Sequence, residues 1–574
     1  MKYNMKYTKV LGLALAALAF NACSDEWDEH YKVQQQGNGV SLWQTISTEA
    51  DFSNFKSVLE YCGYDKVLAS SQVFTVFAPT NENFSMDEAN TLMAIYDQDK
   101  ERGRKEKENR AIKEFVMNHI ALYNHSTPET AAYNDTIVMM NGKYLALTNN
   151  TIGEQSFENQ QPHGNGILYT VDGQLDYLPN VLEQLEKMDD LSKIAAFFDF
   201  YNDYKFIPEQ SVAGGIENGQ TVYLDSVTRL ENILFDYVGE IDNEDSTYWM
   251  IVPTDDMWNA MEEEYVTYFN FDDKVAKRDS LIKLYTGLAI IRGTVFSETV
   301  NPEKTRNDSV KSTNAMHYSS RYIRYGNYDT YYYQYDKPFE PGGVFYGVTE
   351  IPCSNGKLLK PNTWNIDKSQ TFNQMILTEG EERSLLAYID GSKAVSKDPK
   401  TRTTTIAVRP GNPYYNKVSG NSFIEIAPIK SNAQASATFY IREVLSNMPY
   451  DIYVVMASVL ADDTTATDKQ RKPLQASFKL KWLAQDGVNV DSLDLGKKLE
   501  IQSDVHDTIL LKSNVVIPTC TYGLTNEDSQ VTLTISSDVK STDFMRGKFL
   551  KTIRLDAIVL KPHGDAEGEE IVID

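Results

Sequence analysis

Hydrophobic and polar positions follow three regimes along this 574-residue chain. Near the start, Leu42, Ile46, Phe52, Phe55, Val58 and Leu59 recur at helical spacing and predict packed helices. The apolar run Thr75-Val76-Phe77-Ala78 then stops at Pro79, which cannot donate to a sheet ladder and so reads as a strand terminus. Thr80 and Asn81 follow with short oxygen-bearing side chains able to cap a helix start, and Phe84 comes four residues after Thr80. Glu101 to Lys113 reads as a solvated helix leading into Phe115, and Asp135 to Leu147 alternates like a hairpin turning at Asn141-Gly142. A second helical pattern runs from Val181 to Phe200 through Leu182, Leu185, Leu191, Ile194 and Phe198. Ile207 to Asp245 reads as an insertion carrying the strand Thr221-Val222-Tyr223-Leu224.

From about Ile366 the regime becomes short strands between turns: Phe423 to Ile426, Ala437 to Ile441, Ile452 to Ala457, Ala476 to Trp482, Thr508 to Leu511, Val531 to Ile535 and Thr552 to Leu560. That spacing predicts an antiparallel sandwich. Ile553 to Leu560 resembles the closing strand of galactose-binding-like jelly rolls.

The strand–proline–cap unit occurs twice. Trp249-Met250-Ile251-Val252-Pro253-Thr254-Asp255-Asp256-Met257-Trp258 repeats it, with the two prolines 174 positions apart. That period is domain-sized, not solenoid-sized, and implies two related domains in tandem. Thr75 to Phe84 resembles the first signature of the fasciclin-like domain, and Gly166 to Leu175 resembles its closing strand. Between them, Asn118-His119 stands where that family usually has Tyr-His, and a decayed closing signature of the second copy lies near Val348 to Leu359. The resemblance covers roughly Ser41 to Trp364. It implies an α+β architecture of two tandem fasciclin-like domains followed by an all-β, jelly-roll-like sandwich. The expected divisions are 1–22 leader, 23–40 tether, 41–186 first domain, 187–365 divergent second domain and 366–574 sandwich.

The leader enters because Lys2, Lys6 and Lys9 precede the apolar stretch Val10 to Phe20, which is too short to span a bilayer but fits a signal-peptide core. Asn21-Ala22-Cys23 resembles a bacterial lipoprotein cleavage site, which makes Cys23 the expected point of lipid attachment. The acidic run Ser24-Asp25-Glu26-Trp27-Asp28-Glu29 reads either as a solvated tether or as a surface-export signal of the Bacteroidetes lipoprotein type. These readings place the protein at the outer membrane, lipid-anchored and facing outward.

Charge narrows the partners. Lys+Arg 55 against Asp+Glu 81 gives −26, which disfavours phosphate backbones and excludes nucleic acid as the expected partner. Besides Cys23, the cysteines are Cys62, Cys353 and Cys520, scattered without a Cys-x-x-Cys and expected as buried apolar residues.

Candidate chemistry is sparse. His119 and His125 lie six apart, on different faces of a helix or about 20 Å apart on a strand, with no carboxylate at ligand spacing, so both are read as structural. Matching Ile112-Lys113 to Ile282-Lys283 sets Ala289 opposite His119 in the second copy. Asp242-Asn243-Glu244-Asp245 lacks the glycine and distal glutamate of a calcium loop and reads as solvated. Tyr318 to Phe339 is the most aromatic segment; it reads either as a hairpin turning at Gly326-Asn327 or as an exposed binding platform. On the platform reading, Tyr328, Tyr331, Tyr332, Tyr333 and Tyr335 stack on a ligand, joined by Tyr414 and Tyr415 from the sandwich. No nucleophile elbow, phosphate loop, dinucleotide fingerprint or zinc motif is present, so no catalytic residue, metal ligand or cofactor is assigned and a non-enzyme is expected. Two roles fit. One is capture of a glycan or other extracellular ligand, as accessory to an outer-membrane transporter complex for nutrient uptake. The other is adhesion or assembly through the fasciclin-like domains.

Overall fold

The computed structural model describes residues 39–564, apart from 129–130, 209–210, 218–219, 226–227, 298–308, 314, 318–328, 332, 390–391, 394–399 and 526–530. The chain divides into two compact units, one running to Asn180 and including Asn202–Glu231, the other holding Val181–Tyr201 and everything from Asn232.

In the first unit, the apolar run forms the fully buried strand Phe74–Pro79. It pairs parallel with Gly166–Val171 and antiparallel with Ile120–Leu122, near one edge of a seven-stranded sheet. The predicted hairpin is present as Asn134–Val138 against Tyr144–Thr148, with Gly142 at φ +85° in its turn. Helices Leu42–Thr48, Ser53–Tyr61 and Met86–Glu101 bury Leu42, Ile46, Phe55, Val58, Leu59 and Ala89 in one core with Val76 and Leu168. The charged stretch after Glu101 is not one solvated helix. Asp99 is wholly buried and its carboxylate takes both the backbone N–H and the guanidinium of Arg110, so the chain folds back through a short 3-10 turn at Glu106–Glu108 into the π-helix Ala111–Val116.

The second unit repeats the sheet. Tyr248–Ile251 pairs parallel with Gly356–Pro361 and antiparallel with Val295–Ser297. The glycines opening the two parallel partners stand at φ +146° (Gly166) and +140° (Gly356). A Cβ on either would lie 1.8 or 1.9 Å from the carbonyl oxygen of Phe74 or Tyr248, so only glycine lets the strands close. The asparagine before each glycine does the same work in both copies. Asn165 accepts the Leu42 N–H (2.8 Å) and donates to the Leu68 and Ser70 carbonyls; Asn355 accepts the Val181 N–H (2.8 Å) and donates to those of Ile241 and Asn243. The expected tandem is therefore present, with the same strand pairings and asparagine bonds at the heart of a seven-stranded and a four-stranded sheet.

Two details differ from expectation. Asn81 and Asp255 serve the preceding helix, not the following one: Asn81 Oδ1 accepts the Asn54 N–H, and Asp255 accepts the Lys193 N–H and the Ser192 hydroxyl. The following helices are capped by Ser85, in a reciprocal box with Glu88, and by Thr254. The strand registers also set Thr294, not Ala289, opposite His119. Val76 faces Ile120 as Met250 faces Val295, and the helix Arg278–Ile291 plus the turn at Gly293 absorb the difference.

The remainder of the second unit is a two-sheet sandwich. One sheet orders Thr401–Ala407, Ser422–Pro428, Ile553–Pro562, Pro449–Met456 and Asp507–Val516, with Ile376–Glu379 also on Ile553–Pro562. The other orders Ser392–Lys393, Leu386–Ile389, Ser436–Tyr440, Thr532–Ser537, Leu474–Leu483 and Val490–Ile501. Ile424, Ile452 and Ile558 of the first sheet share a core with Phe439, Phe478 and Leu533 of the second. All seven predicted strands are present. Val490–Ile501 escapes sequence reading because it lies at a sheet edge, with Leu495 and Ile501 its only buried residues. The same core continues through Trp258, Phe269 and Leu288, so the repeated sheet-and-helix domain and the sandwich are packed as one body within this unit.

Candidate functional site

The strand Ile376–Glu379 ends in Glu379-Gly380-Glu381, and Gly380 is there because nothing larger fits. Its Cβ would lie 2.6 Å from the Leu555 carbonyl oxygen and 2.9 Å from that of Asp556, while its N–H donates to the Asp556 carbonyl at 2.7 Å. This close approach brings Glu379 and Glu381 to Asp556, which lies on the central strand and is wholly buried. One oxygen from each of the three carboxylates can be chosen so that all lie within 4.8 Å of one another.

A loop between Ala407 and Ser422 closes over the group. The Ser419 hydroxyl donates to Glu379 at 2.6 Å, its N–H donates to Asp556 Oδ2 at 3.2 Å, and the Ser422 hydroxyl donates to Glu381 at 2.7 Å. His506 Nε2 is 3.7 Å from Asp556 Oδ2. Asp556 Oδ1 and Glu381 Oε2 are buried without a hydrogen-bond partner. Burial, against the Ser422 hydrogen bond and with Glu379 adding repulsion, pushes Glu381 up to about 7; burial and the other two carboxylates push Asp556 up to about 8. Burial lowers the pKa of His506, against the nearby Asp507 carboxylate. The site is lined by three carboxyl groups and two hydroxyls, with the His506 imidazole beside Asp556.

Sequence reading assigned nothing here. The three residues are separated by up to 177 positions, and among 81 acidic residues no spacing singles them out. The available signal was the glycine held between two glutamates at a strand end.

Among the described residues, the expected binding tyrosines stand in different settings. Tyr328 and Tyr332 lie outside the described residues, as does Cys23, and of Tyr331 only the backbone is described, paired with Ala315. Tyr335 is a correction: it is 2% exposed, packs on Phe296 at 6.0 Å between ring centroids, and burial raises its hydroxyl pKa. Alternation in Gln334–Asp336, paired with Ser309–Lys311, turns this ring into the core. Tyr333 is half-buried beside it in the same cluster. The turn expected at Gly326-Asn327 lies outside the described residues. Tyr414 is half-buried, its hydroxyl on the Asp504 carbonyl at 3.3 Å, and Tyr415 is 37% exposed. Both belong to the loop that covers the carboxylates.

His119 is wholly buried. Its Nδ1 bonds the Phe115 carbonyl at 2.8 Å and so carries the proton, while Nε2 accepts the Leu175 N–H at 2.9 Å. Asn118 is tied to the Leu175 and Asp176 carbonyls and to Asn141. Cys62, Cys353 and Cys520 are buried thiols. Ser513, His563 and Asp451 meet at the surface, but both the hydroxyl and the carboxylate address the same imidazole Nδ1, an order that cannot relay a proton.

Residues 50–176 match the family model of the fasciclin domain. No curated protein matches the chain. Among solved structures it is similar to a FAS1 domain pair from the insect cell adhesion molecule Fasciclin I, at 12% identity and TM-score 0.17, over 55% of this chain and 97% of that one. Partial likenesses also run to the CBM22-1–GH10 modules of xylanase 10B from Clostridium thermocellum (9% identity, TM-score 0.18, 29% of this chain and 25% of that one) and to CpGH89CBM32-4 from Clostridium perfringens (12% identity, TM-score 0.11, 29% and 99%). No helix among the described residues is long and apolar enough to cross a membrane.

Proposed function

We propose that this protein is an outward-facing adhesion or assembly scaffold, tethered to the outer membrane by lipid on Cys23, which holds partners and does not transform them. The observation that carries the reading is the fasciclin domain at 50–176, built on a strand-and-asparagine frame that recurs in the second unit. Domains of that kind are associated with adhesion and protein–protein contacts. Asn118 and His119 are buried and hydrogen-bonded within the domain, which supports a contact surface made by other residues.

The test is chemical crosslinking of whole cells followed by mass spectrometry. Crosslinks from Lys56 or Lys100, on the helices of the first domain, to other envelope proteins are the expected result; their absence alongside abundant crosslinks within the chain would refute the scaffold reading. Incorporation of labelled palmitate, lost on Cys23→Ser, tests the anchor.

A second reading, capture of a glycan in support of a transporter complex, is favoured by one observation, the exposed Tyr415 beside Tyr414 on a sandwich loop. Retention on a polysaccharide affinity gel, abolished by Tyr415→Ala, would transfer the assignment to that reading.

A further inference from the structure

We propose that Glu379, Glu381 and Asp556 form a calcium site that fastens the loop of residues 408–421 onto the sandwich. Asp556 is wholly buried at the centre of a sheet, yet its Oδ1 has no hydrogen-bond partner, and Glu381 Oε2 is buried in the same state. An unsatisfied buried carboxylate oxygen is expensive, and three acidic groups in one pocket repel each other besides. A cation among them satisfies the orphan oxygens and removes the repulsion together.

The donor set selects the ion. The group that meets is three carboxylates with the Ser419 hydroxyl adjoining and the His506 imidazole 3.7 Å from Asp556, and a donor set dominated by hard oxygens favours alkaline-earth cations over zinc or copper. The carboxylates come from a strand end, the residue two beyond it and a neighbouring strand, so their placement follows sheet geometry. Calcium accepts six to eight oxygens in flexible arrangements, whereas magnesium demands a near-ideal octahedron.

The consequence concerns the loop. It is closed at its base by Val408 N–H on the Asn421 carbonyl (2.8 Å) and carries left-handed backbone at Gly411, Asn416, Gly420 and Asn421. Its hold on the sheet below includes the two Ser419 hydrogen bonds to Glu379 and Asp556. A cation that fixes those carboxylates fixes Ser419, and with it the stretch that displays Tyr414 and Tyr415. This inference does not depend on the scaffold reading.

The experiment uses the purified full chain. After dialysis against EDTA, calcium is titrated by calorimetry, and trypsin cleavage after Lys417, an exposed loop residue, is followed by mass spectrometry. Expected are one calcium bound per chain, cleavage slowed several-fold by calcium but not by equimolar magnesium, and at least a tenfold loss of affinity in Asp556→Asn. Should that variant fail to fold, Glu381→Gln, at the half-buried rim, carries the same expectation. No heat of binding at millimolar calcium, with Lys417 cut equally fast in calcium and in EDTA, would overturn the site and leave carboxylates sharing protons. Equal protection by magnesium would overturn the assignment to calcium.

Discussion

Arg292 donates from its guanidinium to the hydroxyl of Tyr522, joining the helix end at Ile291 to a sandwich loop across 230 positions. Both residues are at least 95% buried, and Arg292 also lies over the rings of Tyr237 and Tyr522, at 5.0 and 5.6 Å. A buried guanidinium is tolerated only while its hydrogen bonds and ring contacts hold.

This predicts an order of damage. Tyr522→Phe leaves the charge in place with one acceptor fewer and should lower unfolding stability by about 2–4 kcal/mol. Arg292→Met removes the charge while keeping the packing and should cost less than Tyr522→Phe. Urea unfolding followed by tryptophan fluorescence ranks the two; the reverse order would mean that the contact is not what holds the domains together.

Gly166 and Gly356 should be intolerant of any side chain. Alanine at either puts a methyl group inside van der Waals distance of a strand carbonyl, under 2 Å, so Gly166→Ala should cost more than about 4 kcal/mol. Gly142→Ala, in an open turn at φ +85° with nothing within 4 Å, should cost only about 1 kcal/mol from backbone strain. Calorimetry of the two variants separates steric conflict from conformational strain.

Stability should fall in acid through His119. Burial lowers its pKa to about 4, against the Phe115 hydrogen bond, so between about 6.5 and 4 the unfolded chain takes up a proton that the folded chain refuses. The contribution is complete above about pH 6.5 and is lost as pH drops towards 4, on the order of 3 kcal/mol in all. His119→Gln should flatten the slope in that window while lowering stability at neutral pH by about 1–3 kcal/mol through the hydrogen bonds it disturbs. Unfolding at a series of pH values measures both.

Tyr335 and Tyr415 should separate packing from binding. Tyr335→Ala should cost about 3–5 kcal/mol, as expected for a large ring removed from a core. Tyr415→Ala should leave stability within about 0.5 kcal/mol, because more than a third of that ring already faces water. A stability loss in Tyr415→Ala as large as in Tyr335→Ala would make Tyr415 a packing residue and remove it from any binding role.

Local pattern settled much of this molecule. The strand that stops at Pro79, its echo at Pro253, the turn at Asn141-Gly142 and the run of short strands beyond Ile366 are all statements about neighbouring residues, and periodicity records those directly. Only the tertiary structure decided that Asn81 and Asp255 reach back to an earlier helix, that Tyr335 points inward and that Thr294 stands opposite His119. Each depends on which strand lies alongside and in what register, and a shift of one residue would reverse the face. The meeting of Glu379 and Glu381 with Asp556 is the extreme case. It is produced by a strand pairing between distant segments and a glycine with no room for a methyl group, and neither is written at any fixed spacing along the chain.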